Sequence, residues 1–455
     1  MDPRKTSMTE GTIWKILVRF ALPLLLGNLF QQFYNMVDSL VVGNFCGDQA
    51  LAAVSSSNSL CHLIIGFFQG VFIGASVIIS HRYGAKDDEG VDRAIHTTVL
   101  FALVIGVLLS IFGVCFTPTI LQWMGTPENV LPNSILYFRV YCAGLLALVL
   151  YNTATGIFQA LGDSRHPLYY LIIASVANII LDLLFVGVFG WGVGGAAFAT
   201  LLGQLLSAIL GFAHLMSGRF IVTVRLDRLK ADLSVLKEIL RLGLPSGFQN
   251  SVIAIANLVV QSNINAFGDV AMAGCGSFTK VEGFVFLPIM ALTNALTTFV
   301  GQNLGAGRLD RVRTGVRQGL IMTVTASELV GILSFTLAPT LIGLFSPSAA
   351  VVAYGVRHAR TVTLFYCLLG FSHGTAAVLR GAGHSVTPMV IFMGIWCFFR
   401  ICYVTAMVHF FQTITVVFTA YPVTWCLSSI LFAIVLLRGQ WMTLSPWTHH
   451  QGRSN

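Results

Sequence analysis

Long apolar runs, punctuated by Gly, Pro and charged positions, dominate this chain. They fall near 17–42, 51–80, 97–121, 137–160, 168–189 and 195–216, and again near 242–266, 271–300, 319–343, 361–379, 388–410 and 413–437. A helix rising about 1.5 Å per residue needs roughly 20 apolar residues to cross a bilayer. The pattern therefore predicts an all-α integral membrane protein with twelve transmembrane helices.

The pattern also repeats. Displacement by 221 residues carries Gly47 onto Gly268, Gly84-Ala85 onto Gly305-Ala306, Pro118 onto Pro339, Arg139 onto Arg360, Gly162 onto Gly383 and Pro167 onto Pro388. One residue more carries Arg19 and Pro23 onto Arg241 and Pro245. Six spans per copy is an even number, so both copies enter the membrane in the same direction. That predicts two parallel six-helix bundles, a geometry suited to alternating access. The expected organisation is an N-terminal segment at 1–16, an N-lobe at 17–216, a linker at 217–241, a C-lobe at 242–437 and a tail at 438–455.

Composition agrees with the spans: 56% of the 455 residues are hydrophobic and 10% charged, against roughly 25% charged in soluble domains. Basic residues in such a chain report topology, not nucleic acid. With the N-terminus inside, 21 of the 26 Lys and Arg fall on the cytoplasmic side, and only Arg139, Arg357 and Arg360 face outward. Both termini are thus expected in the cytoplasm of a multi-pass cell-membrane protein. The basic linker reads as a solvated loop facing lipid headgroups. The nine cysteines form no C-x-x-C pair and read as small hydrophobes. The polar segment Met1 to Glu10 leads into an apolar run too long for a signal peptide, without an A-x-A site, so the first helix is expected to be retained.

Six ionisable residues remain inside spans: Asp38, Asp182, Lys280, Glu282, Glu328 and Arg400. Each costs at least about 2.5 kcal/mol at mid-membrane. Helical rise places Asp38 roughly 6 to 8 Å below the outer end of its span, Asp182 roughly 10 Å and Thr200 roughly 8 Å. Asn178 lies four residues before Asp182, on the same helix face. Two carboxylates, an amide and a hydroxyl at matching depth suit a hard cation such as sodium (Na+), or a proton (H+) shared by the acids. No further metal site or cofactor is expected. The second copy carries Val260, Phe399 and Tyr403 where the first has Asp38, Asn178 and Asp182; a shared scaffold does not need these groups. Lys280 and Glu282 are two apart and do not share a face. With Arg400 they read as lining a cavity or a C-lobe polar site, and Glu328 with Arg400 as a candidate charge pair.

Leu22-Pro23, Asn35-Met36-Val37-Asp38, Val42-Gly43, Arg82-Tyr83-Gly84-Ala85, Gln159-Ala160-Leu161-Gly162-Asp163 and Gly301-Gln302-Asn303-Leu304-Gly305-Ala306-Gly307 occur in this order and repeat. From about Thr9 to Arg438 the chain resembles the multidrug and toxic compound extrusion (MATE) transporters. The resemblance implies two six-helix lobes and export of drugs and toxic compounds, often lipophilic cations, driven by inward flow of Na+ or H+. It implies a cation site at Asp38, Asn178, Asp182 and Thr200 and a bend in the first helix at Pro23. Some members place the essential acid in the seventh span; here Leu242 to Ala266 holds no Asp or Glu.

Other functions are less well supported. A lipid or glycan-lipid flippase of related architecture would rely on cationic groups such as Lys280 and Arg400. A membrane prenyltransferase needs two acidic clusters, and the partner of Asp87-Asp88-Glu89 is Arg308-Leu309-Asp310. No G-x-x-x-x-G-K-[ST] loop is present for nucleotide-driven export. The expected partners are small-molecule drugs or toxins and the lipid bilayer, with no nucleic acid. A monomer suffices, and no enzymatic reaction is expected.

Overall fold

A computed structural model describes residues 7–46, 48–128, 130–218 and 221–443. Positions 1–6 of the expected N-terminal segment and 444–455 of the tail lie outside them, as do Arg4, Lys5, Arg219 and Arg453.

Among the described residues twelve helical spans follow one another. They are α1 Ile13–Cys46, α2 Asp48–Gly84, α3 Asp88–Trp123, α4 in two pieces, Leu131–Ala143 and Leu145–Ala160, α5 Arg165–Val188 and α6 Gly192–Leu215. Then come α7 Leu233–Asn265, α8 Asp269–Gly305, α9 Leu309–Gly343, α10 Ala349–Gly381, α11 Val386–Phe411 and α12 Ile414–Arg438. Among the described residues ten are long and apolar enough to cross a membrane, and α4, bent by 45° at Gly144, makes an eleventh. The twelfth, α7, has the length, but Gln249, Asn250 and Asn257 dilute its apolar character beyond Arg241.

The duplication is written into the backbone. Helices α2, α3 and α5 begin at Asp48, Asp88 and Arg165, and α8, α9 and α11 begin 221 residues later at Asp269, Leu309 and Val386. Gly162 and Gly383 turn the chain with φ of 85° and 86°, the left-handed region that glycine enters without steric cost. Lys86 at φ 60° occupies the position of Gly307 at φ 69°.

The chain forms two compact units. The first holds Leu26–Arg241. Small residues close its helices: a Cβ on Gly113 of α3 would stand 2.6 Å from Cys142 Sγ of α4. The second holds Leu242–Asn455 together with Met8–Leu25. Its core centres on Phe278, Phe299, Tyr366, Phe392 and Phe432, all without solvent exposure, and Leu17 and Phe20 of α1 join it. Each unit thus takes the opening turns of a helix whose remainder belongs to the other.

The linker departs from the solvated loop expected of it. It becomes helical at Leu233. Val222, Val224, Val235 and Ile239 are buried, and Arg82 pairs with Glu238 at 3.0 Å. Asp232 N donates to Thr97 Oγ1 at 3.1 Å. Four apolar side chains hold this charged stretch against the first unit.

Candidate ion-coupling site

In the first unit, Asp38 lies in α1 and Asp182 ends the α-helical part of α5, where six π-helical residues, Leu183–Val188, take over. Such widened turns recur at functional sites. The two carboxyl groups come within interaction distance of each other, with 9% of Asp38 and none of Asp182 exposed. Asn178 is buried one turn earlier, and Ser175 precedes it on the same face of α5.

Most polar atoms of these groups lack a hydrogen-bond partner among the described residues. Asp38 Oδ1, both Asp182 oxygens, both amide atoms of Asn178 and Ser175 Oγ are buried with no hydrogen-bond partner among the described residues. A buried unsatisfied polar atom costs about 1–3 kcal/mol, and native proteins retain such atoms chiefly where an ion or water completes them. The donor set is mostly oxygen, which fits a hard cation or a shared proton.

Helix α6 closes the site from another side. A Cβ on Gly203 would stand 3.2 Å from Asn178 Cβ and 3.5 Å from Ala174 O, so glycine lets α6 lie against α5 here. Thr200, one turn before Gly203, is half-buried, and its hydroxyl makes no hydrogen bond among the described residues. Two tyrosines not anticipated from sequence complete the surroundings. Tyr34 lies one turn before Asp38 on α1, beside Gln204, and Tyr137 is buried on α4; both hydroxyls lie within electrostatic reach of the two acids. Pro23 is buried, and α1 runs through it unbroken.

The second unit separates its three candidate residues. Lys280 is exposed and lies over the ring of Phe345 at 5.4 Å. Glu282 is half-buried, and Tyr366 Oη donates to its Oε1 at 3.2 Å. Arg400 is 2% exposed, between the rings of Trp396 and Tyr421 at 5.2 and 4.8 Å. Glu282 and Arg400 lie within electrostatic reach of each other. The charge pair suggested for Glu328 and Arg400 does not form: Glu328 Oε2 accepts from Cys367 N at 2.8 Å, and Arg400 donates to Thr424. Glu328 instead satisfies a backbone donor in the middle of α10, where helical segments meet.

Known proteins resemble this chain over most of its length. A probable multidrug resistance protein of Bacillus subtilis, YoeA, is 32% identical over 85% of this chain and 86% of its own length. A second from the same organism, YpnP, is 30% identical over 84% of this chain and 86% of its own. The solved outward-facing structure of a multidrug resistance MATE family transporter superposes with a TM-score of 0.90 at 25% identity, covering 97% of this chain and 99% of that one. The MatE family model matches twice, over residues 23–184 and 245–405. The matches start 222 residues apart and end 221 apart, the displacement of the internal repeat. With both copies matched and the twelve-helix fold shared, the chain belongs to the MATE family of membrane transporters.

Proposed function

We propose that this protein is a secondary active exporter of lipophilic, often cationic compounds, exchanging them for Na+ or H+ by alternating access, with both termini in the cytoplasm. Asp38, Asn178, Asp182 and Thr200 hold the coupling ion. The observation that carries this reading is the cluster of unpartnered polar atoms around two facing, buried carboxyl groups. The multidrug resistance names of the relatives support the substrate class.

Both acids ionised at close range repel each other. A cation held by their oxygens, or one proton between them, removes that repulsion. Neutralisation then changes which arrangement of α1 is favoured, and Pro23 eases bending because it lacks the N–H that would bond one turn back. Export follows if ion and substrate prefer different states.

The test is efflux of a fluorescent lipophilic cation from liposomes under an imposed Na+ or pH gradient, with Asp38→Asn beside the unaltered protein. Loss of gradient-driven efflux in the variant supports the reading, and the effective gradient names the ion. Efflux unchanged in well-folded Asp38→Asn overturns it. No transport under either gradient moves the weight to a flippase.

A further inference from the structure

The turn between α8 and α9, in the second unit, encloses an open depression of about 520 Å³ lined by Gly307, Arg308, Leu309, Asp310, Arg311 and Arg313. Its lining sets three arginines against one carboxylate, and Glu10 lies within electrostatic reach of Arg311. Neither acid pairs with them: among the described residues Arg308, Arg311, Arg313 and Arg317 form no ion pair.

Holding the chain that enters α1 accounts for only part of this charge. Arg311 commits all three nitrogens, to Asn303 Oδ1, Gly11 O and Met8 O at 3.1, 2.8 and 3.2 Å. Arg308 commits Nη1 alone, to Thr9 O at 2.9 Å. Arg313 and Arg317 are exposed, one turn apart on the same face of α9, and donate to nothing among the described residues. Two guanidinium groups are thus fixed in place, and donors remain at Arg308 and Arg313.

The first copy shows that the turn itself does not require these arginines. Lys86, Asp87, Asp88, Glu89, Gly90 and Asp92 stand where the second copy has Gly307, Arg308, Leu309, Asp310, Arg311 and Arg313. There Asp87 starts the helix by accepting from Gly90 N at 2.9 Å. One backbone corner is therefore acidic in the first copy and basic in the second.

Depth identifies the source of the anion. The apolar run of α9 begins near residue 319, so helical rise puts Arg317 about 3 Å and Arg313 about 9 Å beyond its end, at the level of lipid headgroups. Trp14, half exposed and three residues past the Gly11 that Arg311 holds, marks the same boundary on α1.

We propose that this depression holds the phosphate of an anionic membrane lipid, with Arg308 and Arg313 as its ligands and the acyl chains lying along the apolar part of α9. The planar guanidinium group presents paired N–H donors that match phosphate oxygens. With Asp310 in the lining, the positive excess suits a singly charged phosphodiester. Phosphatidylglycerol brings that charge uncompensated, whereas phosphatidylcholine carries an ammonium that already balances its phosphate.

Native mass spectrometry of the full-length protein, released from micelles doped with equal amounts of these two lipids, counts the molecules retained. Phosphatidylglycerol is expected to be retained in preference. Arg313→Gln, which removes no protein contact, should lower that preference by about fivefold, the effect of one basic side chain near a lipid surface. Adding Arg308→Gln should lower it further, and Arg228→Gln with Lys230→Gln, exposed in the linker, should leave it as it was. Equal retention of the two lipids overturns the proposal. So does an equal loss in the linker variant, which would mean general attraction to a basic surface. Inorganic phosphate retained through Arg313, with the lipids not distinguished, would make the ligand a soluble phosphate and overturn the lipid assignment. Arg313→Gln decides even if Arg308→Gln loosens residues 8–11. No gradient or exported compound enters these measurements, so they and the export reading fail separately.

Discussion

Met8 donates its backbone N–H to Gln302 Oε1 at 2.8 Å, linking positions 294 residues apart. The contact belongs to a clasp at the end of α8. Asn303 Nδ2 donates to Met8 O at 3.3 Å, Arg311 to Gly11 O at 2.8 Å and Met8 O at 3.2 Å, and Arg308 to Thr9 O at 2.9 Å. Gln302 and Asn303 belong to the Gly301–Gly307 motif, which thereby holds the chain entering α1 through backbone groups, whatever the side chains at 8–11.

Arg311 is the busiest member, because it also donates to Asn303 Oδ1 at 3.1 Å. Hydrogen bonds from a charged donor contribute about 1.5–3 kcal/mol each. Arg311→Ala is expected to speed amide hydrogen exchange across residues 8–16 by at least tenfold and to leave Val222–Ile239 unaltered. Unchanged exchange at 8–16 would show that the side chain is not what anchors this segment.

Gly203 sets how closely α6 meets Asn178. Alanine there asks the neighbours to give by a few tenths of an ångström. Valine, branched at Cβ, forces the helices apart. Gly203→Val is expected to raise the Na+ or H+ concentration needed for half-maximal efflux by about tenfold or more, a loss of roughly 1.4 kcal/mol, with Gly203→Ala between it and the unaltered protein. A dose curve for the coupling ion in liposomes makes the comparison.

Stability separates two other glycines. A Cβ at Gly331 of α9 would stand 2.3 Å from Thr363 O, whereas one at Gly276 of α8 meets nothing within 4 Å. Overpacking costs about 1–3 kcal/mol, and an unobstructed Gly-to-Ala change in a helix gains up to about 1 kcal/mol. Gly331→Ala should lower the melting temperature in detergent, and Gly276→Ala should hold or raise it.

Asp163 ties acid stability to the start of α5. Its Oδ1 accepts from Arg165 N at 3.0 Å and His166 N at 3.3 Å, and Oδ2 meets His166 Nδ1. Burial opposes ionisation, but the bond and charge of His166 with the two backbone donors outweigh it, so the carboxyl sits below its usual range. A depressed folded value stabilises above the unfolded value, near 3.9, and the gain is lost as pH falls through the folded one. Asp163→Asn should lower the melting temperature at pH 7, a cost of about 1 kcal/mol by comparison with helix caps. The gap should narrow as pH falls below about 4, and a gap that widened on acidification would contradict this.

The spans were legible because a bilayer imposes long apolar runs on any helix that crosses it. The repeat was legible because it fixes turn residues such as Gly162 and Gly383 at one displacement. Helix ends were not: α1 begins at Ile13 and ends at Cys46, where the apolar signal covers only 17–42, because polar residues at either end continue the same backbone bonds. Nor did the charged linker betray Val222 and Val224 as buried anchors. At the candidate site, depth arithmetic brought Asp38 and Asp182 together. The spacing of Tyr34 and Asp38 by four was a readable sign that the tyrosine shares that face, whereas Tyr137 and Gln204 enter through packing of separate helices. The same limit explains Glu328 and Arg400, since sequence gives each residue's depth but not which helices are neighbours.

The exchange of opening turns has a consequence for dissecting the molecule. A chain cut after Met216 yields a first fragment without Leu233–Arg241 and a second without Met8–Leu25, so neither fragment carries a whole folding unit. Restoring either unit therefore needs residues from both fragments, as in the exchange of an element between the partners of a domain-swapped dimer.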